Sequence, residues 1–463
     1  MSKKELESFL EASGVKAFDA EHRQIINKNI GKYNVAVSNG RKQYANYELA
    51  RTRAAMLKWK VLENLDKYLL EFESNTQRKG TKVIWCESAS GAQKEVMAIL
   101  KANNAKMIVK SKSMATEEID LNELLKNNGI DSVETDLGEY IQQLDGEKPY
   151  HIVTPAMHKS KENIAELFHK KLGTPLDLTP EEMSLHVRGL LREKYTEAKV
   201  GITGANFLIA DTGSISITEN EGNARLTTAF PKVHIVVVGI EKIIPNLVDL
   251  DLFLPLLATA GTGQKLTAYN TIISGPASKE ESDGPKEMYV LLLDNGRTEL
   301  LAQHEQRQAL GCIRCGACLN SCPVYKNIGG HSYQTTYTGP IGAVITPHLR
   351  GMEDFKHLSY ASTLCGNCTE VCPVKIDIHN LLLFNRRDAA KEKLNGWTEN
   401  NGWKIWRWAM MERNRMNKSS GLKNTFMKYF FTDTWGEKRL TPIVSEKSFN
   451  EQWKALHPQE KES

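Results

Sequence analysis

Seven of the chain's eight cysteines fall between Cys312 and Cys372, and their spacing defines the chemistry open to them. Cys312, Cys315, Cys318 and Cys322 form C-x2-C-x2-C-x3-C followed by Pro323, the run with which bacterial ferredoxins hold [4Fe–4S] clusters. Three thiolates at this spacing on a tight loop reach three corners of one cube, and Gly316 lets the backbone pass close to it. Pro323 fixes φ where the chain leaves, and the fourth cysteine of such a run serves the neighbouring cube. Cys365, Cys368 and Cys372, followed by Pro373, repeat the last three positions, with Ser362 where a further cysteine would stand. Crossing the fourth ligands predicts one cluster on Cys312, Cys315, Cys318 and Cys372, and a second on Cys322, Cys365 and Cys368. The last corner of the second is open to the Ser362 hydroxyl, to solvent, or to a [3Fe–4S] cluster lacking one iron. Zinc is the rival metal, but zinc ribbons use two C-x2-C pairs, which neither the triplet nor the Cys-Pro endings match.

The remaining cysteine, Cys86, lies in a β-branched run and reads as a small buried hydrophobe. His331 and His379 stand near the cysteine motifs, and both read as structural. None of the twelve histidines forms a base constellation with an acidic partner. The long interval between Cys322 and Cys365 suits a helical ferredoxin in which each cysteine loop leads into a helix. Ile378, Leu381, Leu382 and Phe384 give the run Ile376–Arg387 helical apolar spacing that could cover the clusters.

The rest of the chain must position these loops. With 463 residues, 41% hydrophobic and 25% charged, it has the composition of two or three globular domains. A net charge of +4 is too small to argue for nucleic acid. The most apolar stretch, Leu247–Ala260, is broken by Asp249, Asp251 and Pro255, so no membrane span is expected. The N-terminus lacks the apolar region of a secretory signal. A cytoplasmic protein is expected, with peripheral attachment at the inner membrane face as the alternative.

Residues 1–78 read as helices at Glu5–Leu10, Phe18–Ile30 and Tyr44–Phe72. Residues 79–300 alternate strands with helices, the pattern of an α/β domain with a largely parallel sheet. Strands are expected at Thr81–Cys86, Lys106–Lys110, His151–Thr154, Asn206–Ile209, Ser214–Thr218, His234–Gly239 and Met288–Leu293, and helices at Gln93–Leu100 and Thr116–Lys126. Gly201, Gly204, Gly213, Gly222, Gly261 and Gly263 lie near strand ends, where such loops line ligand crevices; ordinary turn chemistry explains them equally well. Neither a G-x-G-x-x-G nor a G-x-x-x-x-G-K-[ST] sequence is present, which argues against Rossmann-type NAD binding and against nucleotide hydrolysis. Residues 301–390 form the ferredoxin region. Residues 391–463 are rich in tryptophan, including Trp403, Trp406 and Trp408, with Arg407, Arg413, Arg415 and Lys418 nearby. That combination favours a partner-docking surface, with a membrane-surface helix or simple packing as alternatives, and Gln459–Ser463 reads as a frayed tail.

Together, GITGANFLIADTGSISITENEGNAR, CIRCGACLNSCPVY, GPIGAVITP and LCGNCTEVCPVKIDIHNLL resemble the iron–sulfur protein B family of bacterial lactate utilization across nearly the whole chain. The resemblance implies an α/β domain similar to isomerases and CoA-transferases, then an all-α two-cluster ferredoxin and a helical C-terminal segment. It implies two clusters, most simply [4Fe–4S], on the seven cysteines named above. It further implies an electron-transfer subunit in oxidation of L-lactate to pyruvate, not catalytic alone. The implied partners are the companion lactate-utilization proteins A and C and an unidentified electron acceptor. A redox or iron sensor whose clusters control partner binding is the rival reading. An α/β enzyme acting on a CoA or sugar-phosphate substrate is the third.

Overall fold

The computed structural model describes residues 3–417, 420–431 and 440–457. Packing divides the chain into two compact units, Met1–Asp388 and Ala389–Ser463.

The first unit begins with four helices, α1 (Lys3–Phe18), α2 (Ala20–Gly40), α3 (Tyr47–Leu62) and α4 (Leu65–Gln77). Asp19 separates the first two and caps α2 by accepting from the His22 amide. The expected run Tyr44–Phe72 is two helices, because Asn64 leaves helical geometry at φ −138°. Leu65, Leu69 and Phe72 of α4 pack on one face of the main sheet. Ile26 and Ile30 of α2 and Ala54 of α3 belong to the same core as the cysteine loops. The N-terminal helices therefore bury their apolar stripes against both later parts of this unit.

Ten strands follow: β1 (Lys82–Cys86), β2 (Met107–Lys110), β3 (Asp131–Glu134), β4 (Val200–Thr203), β5 (Phe207–Ile209), β6 (Ser214–Glu219), β7 (Val233–Gly239), β8 (Ile243–Ile244), β9 (Tyr269–Ile273) and β10 (Glu287–Leu293). Six of them form a sheet in the order β1-β10-β7-β4-β2-β3, and every pairing in it is parallel. Its central strand β7 reads VHIVVVG and is buried along its whole length, as a parallel strand covered on both faces requires. A smaller sheet, β8-β5-β6-β9, lies beside it.

Local expectations fail where side-chain chemistry outweighs β-propensity. His151–Thr154 is a turn and not a strand: the buried His151 Nδ1 accepts the Val153 amide at 3.1 Å and the Thr154 amide at 3.3 Å. Thr116–Lys126 is two short helices, Met114–Glu118 and Leu121–Asn127, with Asp120 between them at φ 45°. Strands β3, β4 and β8 are two to four residues long, too short for alternation to show in the sequence, and β9 has Asn270 among its apolar residues. Cys86 ends β1 and is buried, and burial pushes its thiol up to about 11. The buried Lys110 ammonium at the end of β2 is held by Glu134 at 2.9 Å and Glu117 at 3.2 Å.

The glycines divide into two groups. Gly263 ends the helix Leu250–Thr262 at φ 79° and abuts the backbone of Ala36 in α2. We expect Gly263→Ala to cost about 1–2 kcal/mol from the left-handed backbone alone, read as a lower urea midpoint with an unchanged slope. Gly204 and Gly261 instead face the functional region described below.

The second unit contains the helix Trp397–Met410 and, further on, Phe449–Leu456 with a Ser448/Glu451 capping box. Trp397, Trp403, Trp406 and Trp408 are exposed, and the Arg415 guanidinium stacks 4.5 Å from the Trp408 ring centre. Lys418 and the expected tail Gln459–Ser463 lie outside the described residues. Among the described residues no helix is long and apolar enough to cross a membrane.

Candidate metal centre and the adjoining cavity

Both cysteine loops are built by the same backbone device. Arg314 (φ 61°) and Gly316 (φ 79°) flank Cys315, and Leu364 (φ 54°) and Gly366 (φ 81°) flank Cys365. Left-handed residues on both sides of a cysteine turn the chain sharply, at a cost that non-glycine residues bear only where surrounding packing enforces it. A Cβ on Gly316 would lie 3.1 Å from His151 Cε1, so the turn at His151 packs directly on the first loop. Short helices, Ala317–Ser321 and Asn367–Glu370, follow each loop, and Ile378–Lys391 covers the second. This is the helical ferredoxin arrangement expected from the spacing.

The loops bring Cys312, Cys315, Cys318 and Cys372 together around one small cavity, otherwise walled mainly by Ile152, Ile313, Ile341, Ile376 and Ile378. Burial raises the Cys315 thiol, with the Cys372 and Cys312 charges adding to it. Burial likewise pushes Cys372 up to about 12, with Cys312 adding. The other three cysteines are mutual neighbours. Burial raises Cys322, with Cys365 adding, and pushes Cys368 up to about 11, with Cys322 and Cys365 adding. Cys365 is exposed, and the Asn367 amide lowers its thiol below the ordinary value.

Buried thiols resist ionisation unless a metal replaces the proton. Backbone amides already point at the sulfurs: Arg314 donates to Cys312 Sγ at 3.4 Å, Tyr325 to Cys322 Sγ at 3.5 Å, and Ile376 to Cys372 Sγ at 3.3 Å. Such N–H···S bonds are among the means by which a protein sets a cluster's potential. The donor set therefore fits iron–sulfur ligation. The Ser362 hydroxyl accepts the Leu364 amide at 3.1 Å, within the second loop. His379 Nδ1 lies 2.8 Å from the Thr369 hydroxyl, and His331 Nε2 lies 2.7 Å from the Lys148 carbonyl; both brace loops.

Several supporting residues carry no signal in the sequence. Arg51 of α3 donates to the Cys372 carbonyl at 3.0 Å and to the Glu370 carbonyl at 2.6 Å, tying the N-terminal helices to the second loop. We expect Arg51→Met to cost roughly 2–3 kcal/mol, since charge-assisted bonds to one buried and one partly buried carbonyl are lost. The corresponding measurement is faster iron release from loaded protein to a chelator. A second group joins the α/β core to the first loop. Arg297, fully buried, pairs with Glu118 at 2.7 Å and Glu241 at 2.6 Å. Tyr337 donates to Glu118 at 2.6 Å, and Arg314 lies over the Tyr337 ring at 4.3 Å. Lys58 donates to the Glu241 carbonyl at 2.7 Å.

A cavity of about 270 Å³ opens where these groups meet. It lies at the carboxyl ends of the main sheet, bounded by Ser111 after β2, Asp136 after β3, Gly204 after β4, Lys242 after β7 and Arg297 after β10. Cys315 and Arg314 of the first cysteine loop also line it. Two of the glycine segments singled out in the sequence reach it: Gly204 touches Ser113, and a Cβ on Gly261 would lie 2.8 Å from the Cys315 carbonyl. Glu221 also lines it, and burial followed by the Asp136 charge pushes its carboxyl up to about 7.

An LUD domain matches residues 69–293 and a 4Fe-4S dicluster domain matches residues 308–376. A parallel α/β domain joined to a two-cluster helical ferredoxin defines this chain as an iron–sulfur protein of the LUD class. It is 48% identical to the Lactate utilization protein B of Bacillus licheniformis over 353 residues, 76% of this chain and 74% of that protein. The Bacillus subtilis protein of the same name is 46% identical over 76% of this chain and 73% of its own length. An Escherichia coli protein named "Uncharacterized electron transport protein YkgF" is 41% identical over 91% of both chains. A DUF162 family crystal structure from Deinococcus radiodurans covers 50% of this chain and 98% of its own at 14% identity, with a TM-score of 0.29. The chain belongs to the lactate utilization protein B family.

Proposed function

We propose that this protein is the electron-transferring subunit in oxidation of L-lactate to pyruvate, working with companion proteins A and C. The observation that carries this reading is the division of seven thiols into two neighbouring sets. In it, Cys312, Cys315, Cys318 and Cys372 hold one cluster, and Cys322, Cys365 and Cys368 hold the other, with Ser362 as a candidate fourth ligand. The names of the relatives, lactate utilization and electron transport, supply the reaction.

Bound clusters supply one-electron acceptance and release. Removal of two electrons and two protons from lactate therefore needs two such centres, or two rounds at one. The chain's own residues keep the first set dry and present amides to its sulfurs. The second set includes the exposed Cys365. Burial and hydrogen bonding both tune potential, so two separable midpoints are expected in a redox titration.

The test is anaerobic purification with iron and sulfide analysis, followed by electron paramagnetic resonance with and without L-lactate and the two companions. Cluster reduction by lactate when the companions are present is the expected result. Zinc in place of iron, or clusters that stay oxidised in the complete mixture, would overturn the reading.

A further inference from the structure

The wall of the 270 Å³ cavity has an imbalance that the electron-carrier role leaves unexplained. Each of its carboxylates accepts at least one hydrogen bond. Glu219 accepts the Ala224 and Arg225 amides at 2.7 and 3.0 Å, and Glu221 accepts the Leu137 amide at 3.1 Å. Asp136 accepts the Glu139 amide at 3.1 Å, and Glu241 is held by Arg297. Of its basic residues, Arg297 and Lys112 are also paired, but two keep donors without partners. Arg314 Nε and Nη1 are buried without hydrogen-bond partners, and its Nη2 is 3.6 Å from Glu241. The half-buried Lys242 ammonium has no hydrogen-bond or ion-pair partner among the described residues. Buried or half-buried donors on basic side chains without partners call for an anion.

Size and position narrow the ligand. The volume lies below the range usual for cofactor and drug-sized sites. The cleft sits outside the carboxyl ends of parallel strands, the usual ligand position in open α/β sheets. Ser113, Thr218 and Gln264 also line it, which makes the wall polar and suits a small polar anion.

We propose that this cavity binds a small organic carboxylate, a 2-hydroxy or 2-oxo acid, with Lys242 and Arg314 as its anchors and the cluster ligand Cys315 also lining it. The choice of acid rests on the proposed function, whereas the site itself rests on the wall chemistry alone. Under the competing explanation, Lys242 and Arg314 only balance charge at Glu241 and Cys312, their electrostatic neighbours.

Calorimetric titration of the cluster-loaded chain, anaerobically and without companions, separates the two. L-lactate, pyruvate and inorganic phosphate are the probes. Saturable binding of lactate or pyruvate is expected, weakened at least about tenfold in Lys242→Met, the loss of one charge-assisted contact. Ala115→Leu narrows the same wall at a residue outside both cysteine runs and is expected to weaken binding similarly. Iron content and the resonance spectrum of the ligand-free variants show that each is folded and loaded. Absence of saturable binding, binding of phosphate alone, or equal affinity in both loaded variants overturns the proposal. Because no turnover is involved, such a failure is distinct from failure of lactate to reduce the clusters in the complete system.

Discussion

Replacing Cys372 with Ala is expected to abolish the same resonance signal as replacing Cys312, although the two positions sit in different motifs. Replacing Cys368 is expected to abolish the signal lost with Cys322. Each variant should retain roughly half the iron of the unaltered protein, since a cube deprived of a thiolate corner is labile while its neighbour is intact. The expectation follows from the walls of the first thiol cavity, which include Cys372 and exclude Cys322, Cys365 and Cys368. If signals instead group by motif, with Cys372 and Cys368 failing together, the crossed arrangement is wrong. Ser362→Ala adds a finer outcome: a changed second signal if its hydroxyl is a ligand, and an unchanged one if the group serves only the Leu364 amide.

Arg297→Leu is expected to be the most damaging substitution outside the cysteines, at about 3–5 kcal/mol. It leaves Glu118 and Glu241 buried, with their guanidinium partner removed. Neutralising a carboxylate as well should recover part of the loss, so Arg297→Leu combined with Glu118→Gln is expected to be more stable than Arg297→Leu alone. Urea unfolding of the single and double variants measures this, and strict additivity would show that the groups are not coupled.

The same network has a pH signature. Glu241 is brought down to about 2 from an ordinary value of 4.5; burial opposes ionisation, but Arg297, Lys242 and Arg314 outweigh it. A carboxyl depressed in the folded state adds stability above its unfolded value and loses it as pH falls toward the folded one. The contribution of Glu241 is therefore complete above about pH 4.5 and disappears progressively between there and pH 2. Unfolding midpoints of the unaltered protein should fall across that window more steeply than those of Glu241→Gln.

Metal-ligand spacing is local information. Cys312 to Cys322 and Cys365 to Cys372 are each one short segment, so residue type and separation made the cysteine motifs legible before any fold was known, whereas Cys372 lines the first run's cavity only because the fold returns the second segment there. The parallel α/β domain was legible for a similar reason: alternation of β-branched runs with amphipathic helices is written at the scale of one element. Individual elements were lost where that signal is short or shared, as in the four-residue strands β3 and β4 and at the turn of His151, whose ring bonds its own backbone.

What tertiary structure alone decided is which distant residues meet. Arg297 finds Glu118 across 179 positions of sequence and Arg51 finds Cys372 across 321. No periodicity encodes such pairs, because they depend on the stacking order of strands and on where a loop returns. The glycine-rich segments show the division most clearly. Composition alone admitted turns or a crevice, and the fold made both true. Gly263 is a helix terminus, while Gly204 and Gly261 border a cleft between the strand ends and Cys315. The unsatisfied cations of that cleft exist only because two separately encoded parts of the chain close on each other.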